Sequence, residues 1–214
     1  MLITCWSPKG GAGTTVVAAA LARLASARDE GGALLVDLAG DAPAVLGLRE
    51  PEGPGLAGWL AVGEAPVDAL DRLEVPAAVG LALLARGSGP LATGRGPVLA
   101  ALLAADPRRV IADCGTAPQG PAADVVALSD RSLLITRPCF LALRRALAAP
   151  LRPTGVVLVD EPSRSLTRAD VEAALGVPVV AVVQVDPAVA RAVDAGLLAS
   201  RLPRTLVREL RDVA

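Results

Sequence analysis

Residues 8–17 read PKGGAGTTVV, and nearly every position bears on anion chemistry. Gly10, Gly11 and Gly13 free the backbone to turn its N–H groups onto an anion, and Ala12 between them adds little bulk. In a loop of pattern G-x-x-x-x-G-K-[ST] such amides cradle phosphate oxygens, a lysine reaches the β/γ-phosphates and a hydroxyl binds magnesium. Here Thr15 supplies the hydroxyl, but the neutral Thr14 stands where the lysine belongs. Losing one charge-assisted hydrogen bond costs about 1.5–3 kcal/mol, roughly 10- to 150-fold in affinity, which weakens a grip on phosphate without abolishing it. Lys9 is the only lysine in a chain that otherwise uses arginine throughout, and it falls inside this loop. That placement marks it as chemically required.

These residues need elements to hold them. MLITCWS, before the loop, is a short apolar strand, and residues 14–28 after it have helical spacing at Val17, Leu21 and Leu24. ALLVDLAGD is a second apolar strand ending at Asp37. Residues 80–87, 108–115, 131–138, 155–162 and 177–184 read as further buried strands, with helices expected at 96–105, 119–128, 139–149 and 166–175. Apolar strands alternating with helices imply a mostly parallel sheet covered on both faces, a doubly wound three-layer α/β fold. Ligands in such folds lie outside the carboxyl ends of the strands, where the loop, Asp37 and Asp113 all fall. The Gly- and Pro-rich segment 40–79 is the least regular, with short helices expected near 41–47, 55–62 and 66–72.

The 214 residues suit one domain, 1–214, and 53% of them are hydrophobic. No apolar run reaches the ~18–20 residues of a membrane span, and no signal peptide is read, so a cytoplasmic location is expected. Cys5, Cys114 and Cys139 have neither C-x-x-C spacing nor any histidine in the chain, which favours buried, reduced thiols over a metal or redox site. A net charge of −1 gives no overall attraction to nucleic acid.

KGGAGTT resembles the deviant Walker A loop of the ParA/MinD group of P-loop ATPases, K-G-G-x-G-K-[ST]. The resemblance continues in LLVDLAGDAPAVLGL (switch I), VIADCGTAP (Walker B and switch II) and LGVPVVAVVQVDPAVARAVDAG (last strand and the helix flanking the nucleotide). It implies a P-loop nucleotide switch that binds ATP or ADP with Mg2+ and forms a homodimer, with Lys9 reaching the partner's phosphates. By the same resemblance Lys9, Gly10, Gly11, Ala12, Gly13, Thr14, Thr15 and Asp160 bind nucleotide. Thr15, Asp37 and Asp113 attend the metal, and Lys9, Asp37 and Asp41 are the catalytic candidates. Three departures bear on turnover and base preference. Thr14 replaces the loop lysine; Ala39 stands where switch I carries a second aspartate, with Asp41 two residues on; and Asp160 replaces an adenine-contacting asparagine. Slow or absent hydrolysis is therefore expected. Retention of the first lysine without the second resembles the TadZ/CpaE-like polar-localisation factors of pilus assembly and septum-site-determining proteins of actinobacteria. The function so implied is a nucleotide-dependent dimerising switch that positions a cell-envelope, pilus or division machine through an unidentified protein partner. A nucleotide-free scaffold and a slow ATPase of DNA partition are the alternatives.

Residues 203–214 alternate arginines with Leu206, Leu210 and Val213. They suit a helix packed on its own domain better than a peripheral membrane anchor. Arg144, Arg145 and Arg152 read as a solvated face rather than a DNA patch, so DNA is an unlikely partner. Phe140 is expected in the core or facing a dimer partner, and Trp59 either exposed as a partner contact or covering the sheet.

Overall fold

A computed structural model describes residues 1–162 and 164–214, and all their side chains except that of Val67. In chain order the elements are β1 (Leu2–Ser7), α1 (Thr14–Arg28), β2 (Ala33–Asp37), α2 (Ala42–Leu46), α3 (Gly55–Ala61), β3 (Glu74–Ala78), β4 (Leu81–Leu84), α4 (Gly96–Ala105), β5 (Arg109–Thr116), α5 (Pro121–Ala127), β6 (Arg131–Thr136), α6 (Phe140–Ala148), β7 (Gly155–Asp160), α7 (Arg168–Leu175), β8 (Val179–Gln184), α8 (Pro187–Asp194) and α9 (Arg204–Leu210). The strands form one sheet in the order β3-β4-β2-β5-β1-β6-β7-β8. All neighbours run parallel except β3 and β4.

The central strands are apolar on both faces because both faces are covered. In β1, Ile3 and Cys5 point into one core with α1, α2 and α9, while Leu2 and Trp6 point into the other with α3 to α7. Ala18, Ala19, Ala20 and Ala22 of α1 are fully buried. Their small side chains let the helix lie close over β5 and β1, so this packing gives the alanine run its reason. Trp6 is fully buried yet satisfied, since its indole N–H donates to Ser132 Oγ at 2.9 Å.

The regions of departure from the sequence reading are peripheral. The expected helix at 66–72 resolves into two 3-10 turns, 67–69 and 71–73. β3, antiparallel at the sheet edge, has no counterpart in the sequence reading. Trp59 is buried against the sheet, with Arg95 stacked 3.7 Å from its ring centroid, which removes it as an exposed contact. Phe140 is 75% exposed, so it is not core. Cys5 and Cys114 are buried free thiols, whereas Cys139 is only half-buried at the start of α6. In α9 and beyond, Leu206, Leu210 and Val213 are buried against the domain. The apolar side of that segment is already covered, as the domain-packed reading expects, and a membrane contact through it would require undocking. No helix among the described residues is long and apolar enough to cross a membrane.

Gly47 ends α2 in the left-handed region, φ 74°, and a Cβ there would sit 1.9 Å from the Gly196 carbonyl oxygen. Only glycine satisfies both demands, and the contact clamps the segment after β2 to the end of α8.

Candidate functional site

The loop from Pro8 to Gly13 leaves β1 at the carboxyl end of the sheet and enters α1. Gly11 (φ 76°) and Gly13 (φ 85°) take left-handed backbone angles that a side chain would strain. A Cβ at Gly10, Gly11 or Gly13 would meet nothing within 4 Å, so the loop faces open space rather than packed protein. Gly13 caps α1, whose first N–H groups have no acceptor inside the helix and add the positive end of its dipole. The loop base is tied to the end of β5. Ser7 Oγ lies 3.2 Å from Thr116 Oγ1, and the Ala117 amide donates to the Ser7 carbonyl at 2.8 Å.

Two carboxylates lie side by side beneath this loop because β2 and β5 are neighbours that pair Asp37 with Asp113. Both are fully buried. Asp37 is turned into its own chain: Oδ1 accepts from the amides of Ala39 (3.0 Å) and Gly40 (2.6 Å), and Oδ2 from Ala42 (3.1 Å). Burial raises its pKa, opposed by those amides. It therefore shapes the turn that carries Ala39 and the exposed Asp41.

Asp113 is different. Its Oδ1 accepts from the Gly115 amide at 3.0 Å, but Oδ2 is buried with no hydrogen-bond partner among the described residues. Burial pushes its pKa up to about 6; the nearby Thr15 hydroxyl and the Gly115 amide work against this, and the charges of Asp37 and Asp41 add to it. A buried, unpartnered carboxylate oxygen beside a hydroxyl is the arrangement a divalent cation satisfies. No group of three or more His, Cys, Asp or Glu converges among the described residues. A cation here would complete its shell with water and ligand oxygens, as magnesium does at phosphate sites.

Above these residues opens a cleft of about 780 Å3, within the ~300–1,000 Å3 range of small-molecule sites. Gly11, Ala12, Gly13, Thr14 and Thr15 line it together with Asp41, Thr116 and Arg86. A second hollow of about 330 Å3 continues past Gly13 between Val16, Val183, Val189 and Val193, apolar enough to suit a flat, weakly polar group. Asp160 lines neither space; its carboxylate accepts from Gln184 Nε2 at 3.1 Å. Lys9 also lies outside the main cleft. It borders a small hollow of about 60 Å3 with Thr136, Arg137, Cys139 and Arg164. The α6 amides of Ala142 and Leu141, together with Lys9 and Arg164, lower the Cys139 thiol pKa.

A family model described as the CobQ/CobB/MinD/ParA nucleotide binding domain matches residues 3–199. The chain belongs to that family. Solved structures carry the same fold over its whole length. A ParA family ATPase from Chlorobium tepidum TLS superposes with TM-score 0.81 at 19% identity, covering 99% of this chain and 96% of that one. The cell division ATPase MinD of Pyrococcus furiosus gives 0.78 at 24% identity over 100% and 99%. The septum site-determining protein MinD of Pyrococcus horikoshii OT3, complexed with Mg-ADP, gives 0.74 at 22% identity over 92% and 86%. At those identities the likeness establishes the fold. No curated protein sequence matches.

For this member of the CobQ/CobB/MinD/ParA family, the structure thus gathers Gly11 to Thr15 and Asp41 around one cleft, with Asp37 and Asp113 buried in the adjoining strand ends and Lys9 and Asp160 outside. Sequence reasoning missed Arg86. The one signal that points to it is its position just past the carboxyl end of a predicted strand, where ligands of doubly wound sheets bind.

Proposed function

We propose that this protein is an ATP-binding, nucleotide-dependent dimerising switch with slow or no hydrolysis, positioning a cell-envelope, pilus or division machine. One observation carries the nucleotide reading: the buried, unpartnered Oδ2 of Asp113 beside Thr15, at the base of a cleft walled by a glycine loop. Thr15 and Asp113 would hold magnesium, which would supply positive charge against the phosphates. The amides of Gly11 to Thr15 would grip phosphate oxygens, and the valine-lined hollow beyond Gly13 would receive the base. The family description as a nucleotide-binding domain supports this reading, as does the Mg-ADP of the similar Pyrococcus horikoshii MinD.

Slow turnover follows from what stands around the attacking position. Thr14 brings no charge, Ala39 brings no carboxylate, and the chain has no histidine. Asp41 lines the cleft but is exposed, and a solvated carboxylate holds a water poorly in one orientation. Dimerisation rests on Lys9. It sits beside the cleft rather than in it, and among the described residues no carboxylate lies within ion-pair distance of it. A cation so placed suits the phosphates of a second copy. The loop chemistry also supports kinship with TadZ/CpaE-like and septum-site-determining members. Arg144, Arg145 and Arg152 are exposed as a solvated face, which together with the net charge argues against DNA.

Light scattering with and without Mg-ATP, on wild type and on Lys9→Ala, tests the switch. The expected result is a doubling of mass with Mg-ATP in the wild type that the variant loses, while calorimetry shows that the variant still binds nucleotide. A constant wild-type mass together with no calorimetric binding would replace the switch by a nucleotide-free scaffold.

A further inference from the structure

The cleft lacks the cation its loop ordinarily carries, yet it is not without one. Of the residues that line it among those described, Arg86 alone is positively charged. It follows β4, the strand that pairs with β2, and so stands at the carboxyl end of the sheet, lining the same cleft as Thr14.

The surroundings of Arg86 are built to hold its stem and leave its head available. Gly40 adopts φ 108°, and a Cβ there would come within 3.3 Å of the Arg86 δ carbon. The arginine stem thus passes close over Gly40 in the turn after Asp37. The guanidinium meets only neutral acceptors: Nη1 donates to the carbonyls of Leu38 (3.3 Å) and Ala39 (3.2 Å), and Nη2 to that of Gly89 (3.4 Å). All three bonds are long for N–H···O. Most other ion pairs in the molecule bring arginine to within about 3 Å of a carboxylate, but none involves Arg86 among the described residues. Nε and one Nη2 proton remain uncommitted there, the pair of donors that a guanidinium offers bidentately to a phosphate. A half-buried cation without a counter-ion, in a cleft shared with a glycine loop, wants an anion.

We propose that Arg86 supplies to the phosphate chain of a bound nucleoside triphosphate the positive charge that Thr14 removes from the loop. The proposal rests on the nucleotide reading above and assigns it a residue that the loop pattern does not contain. Because the same guanidinium holds the carbonyls of Leu38 and Ala39, a phosphate drawn to it would act directly on the turn that carries Asp41.

Calorimetric titration with Mg-ATP tests this on wild type, Arg86→Gln, Arg86→Lys, Thr14→Lys and the Arg86→Gln/Thr14→Lys double variant, each checked for fold by circular dichroism. Gln removes the charge and, being shorter, also the reach of Nη1 and Nη2 to the turn carbonyls, so repair by Thr14→Lys separates loss of charge from loss of the brace. Arg86→Gln should weaken binding on the order of 10- to 150-fold, the worth of one charge-assisted hydrogen bond. Arg86→Lys should recover part of that loss. Thr14→Lys should raise affinity far more in the Arg86→Gln background than in the wild type, because one cation then replaces the other. Undiminished binding by Arg86→Gln, or a loss that Thr14→Lys does not repair, would reduce Arg86 to a brace of the turn and leave nucleotide binding standing. Absence of binding by the wild type itself would overturn the nucleotide reading and this role with it.

Discussion

Asp113→Asn separates a carboxylate kept for a cation from one kept for the fold. Burial raises Asp113 from the ordinary 3.8 to about 6. The rise is about two units, so above that pH the buried charge costs the ligand-free fold about 3 kcal/mol relative to the neutral form. The folded state holds the proton more tightly than the unfolded chain. Stability from this group is therefore greatest in acid, falls as pH climbs from about 4 to about 6, and stays level above. Asparagine preserves the shape and the acceptor for the Gly115 amide but leaves an amide group at the Oδ2 position, where an unmet donor costs about 1–3 kcal/mol. The net expectation is that Asp113→Asn stabilises the ligand-free protein by up to roughly 2 kcal/mol at about pH 8, and that the advantage vanishes or reverses at about pH 4.5. Urea unfolding of both proteins at the two pH values, without nucleotide, measures this directly. The variant should also lose Mg-ATP binding. A variant less stable at about pH 8, or one whose difference from wild type ignores pH, would refute the reasoning and make Asp113 an ordinary structural acid.

Two further outcomes follow from the same geometry. Thr15→Ala removes the hydroxyl beside Asp113 and should lower Mg-ATP affinity at least ~10-fold in calorimetry with an unchanged melting profile, since one hydrogen bond to a charged ligand is lost. Leu210→Ala empties a fully buried position where α9 packs on the domain and should cost about 2–5 kcal/mol in urea unfolding without changing Mg-ATP affinity.

The fold was legible because its strands are apolar on both faces and its loops are marked by glycine and proline. β3 was not, for reasons its own residues give. EVPAA contains Pro76 and begins with Glu74, and such a segment reads as a strand only once it is known to lie at a sheet edge. Glu74 is held there by Arg108, whose two bonds of 2.8 and 2.6 Å span 34 residues of sequence. The phosphate-type loop was legible because backbone angles such as those of Gly11 and Gly13 demand glycine, and glycine is visible in a sequence. That Asp37 is engaged by three amides of its own turn, and that Cys139 is only half-buried, depend on how the chain bends after each residue. Arg86 reaches the site through contacts 47 and 48 residues away, which no local pattern encodes.

The departures from the family pattern fall on one side of the chemistry. On the proposed reading, Thr14 and Ala39 stand where groups would act on the transferring phosphoryl, whereas the glycine backbone, Thr15 and Asp113, which would grip and neutralise, all remain. Removing the loop cation also changes the balance of charge around the cleft. Among the described residues, Asp37, Asp41 and Asp113 stand at or behind its wall, against Arg86 alone on its lining. A triphosphate would meet net repulsion unless a divalent cation came with it, so metal and nucleotide should bind as one unit here more strictly than where a loop lysine is present. Lys9 fits that economy from outside. Arginine serves everywhere else in the chain, but the hollow that Lys9 borders holds only about 60 Å3 and already has Arg137 and Arg164 on its rim. A planar guanidinium there would crowd its neighbours, while a compact ammonium on a flexible stem can leave the hollow and reach outward. That is the reason to expect a lysine at this one position in a protein that otherwise does without it.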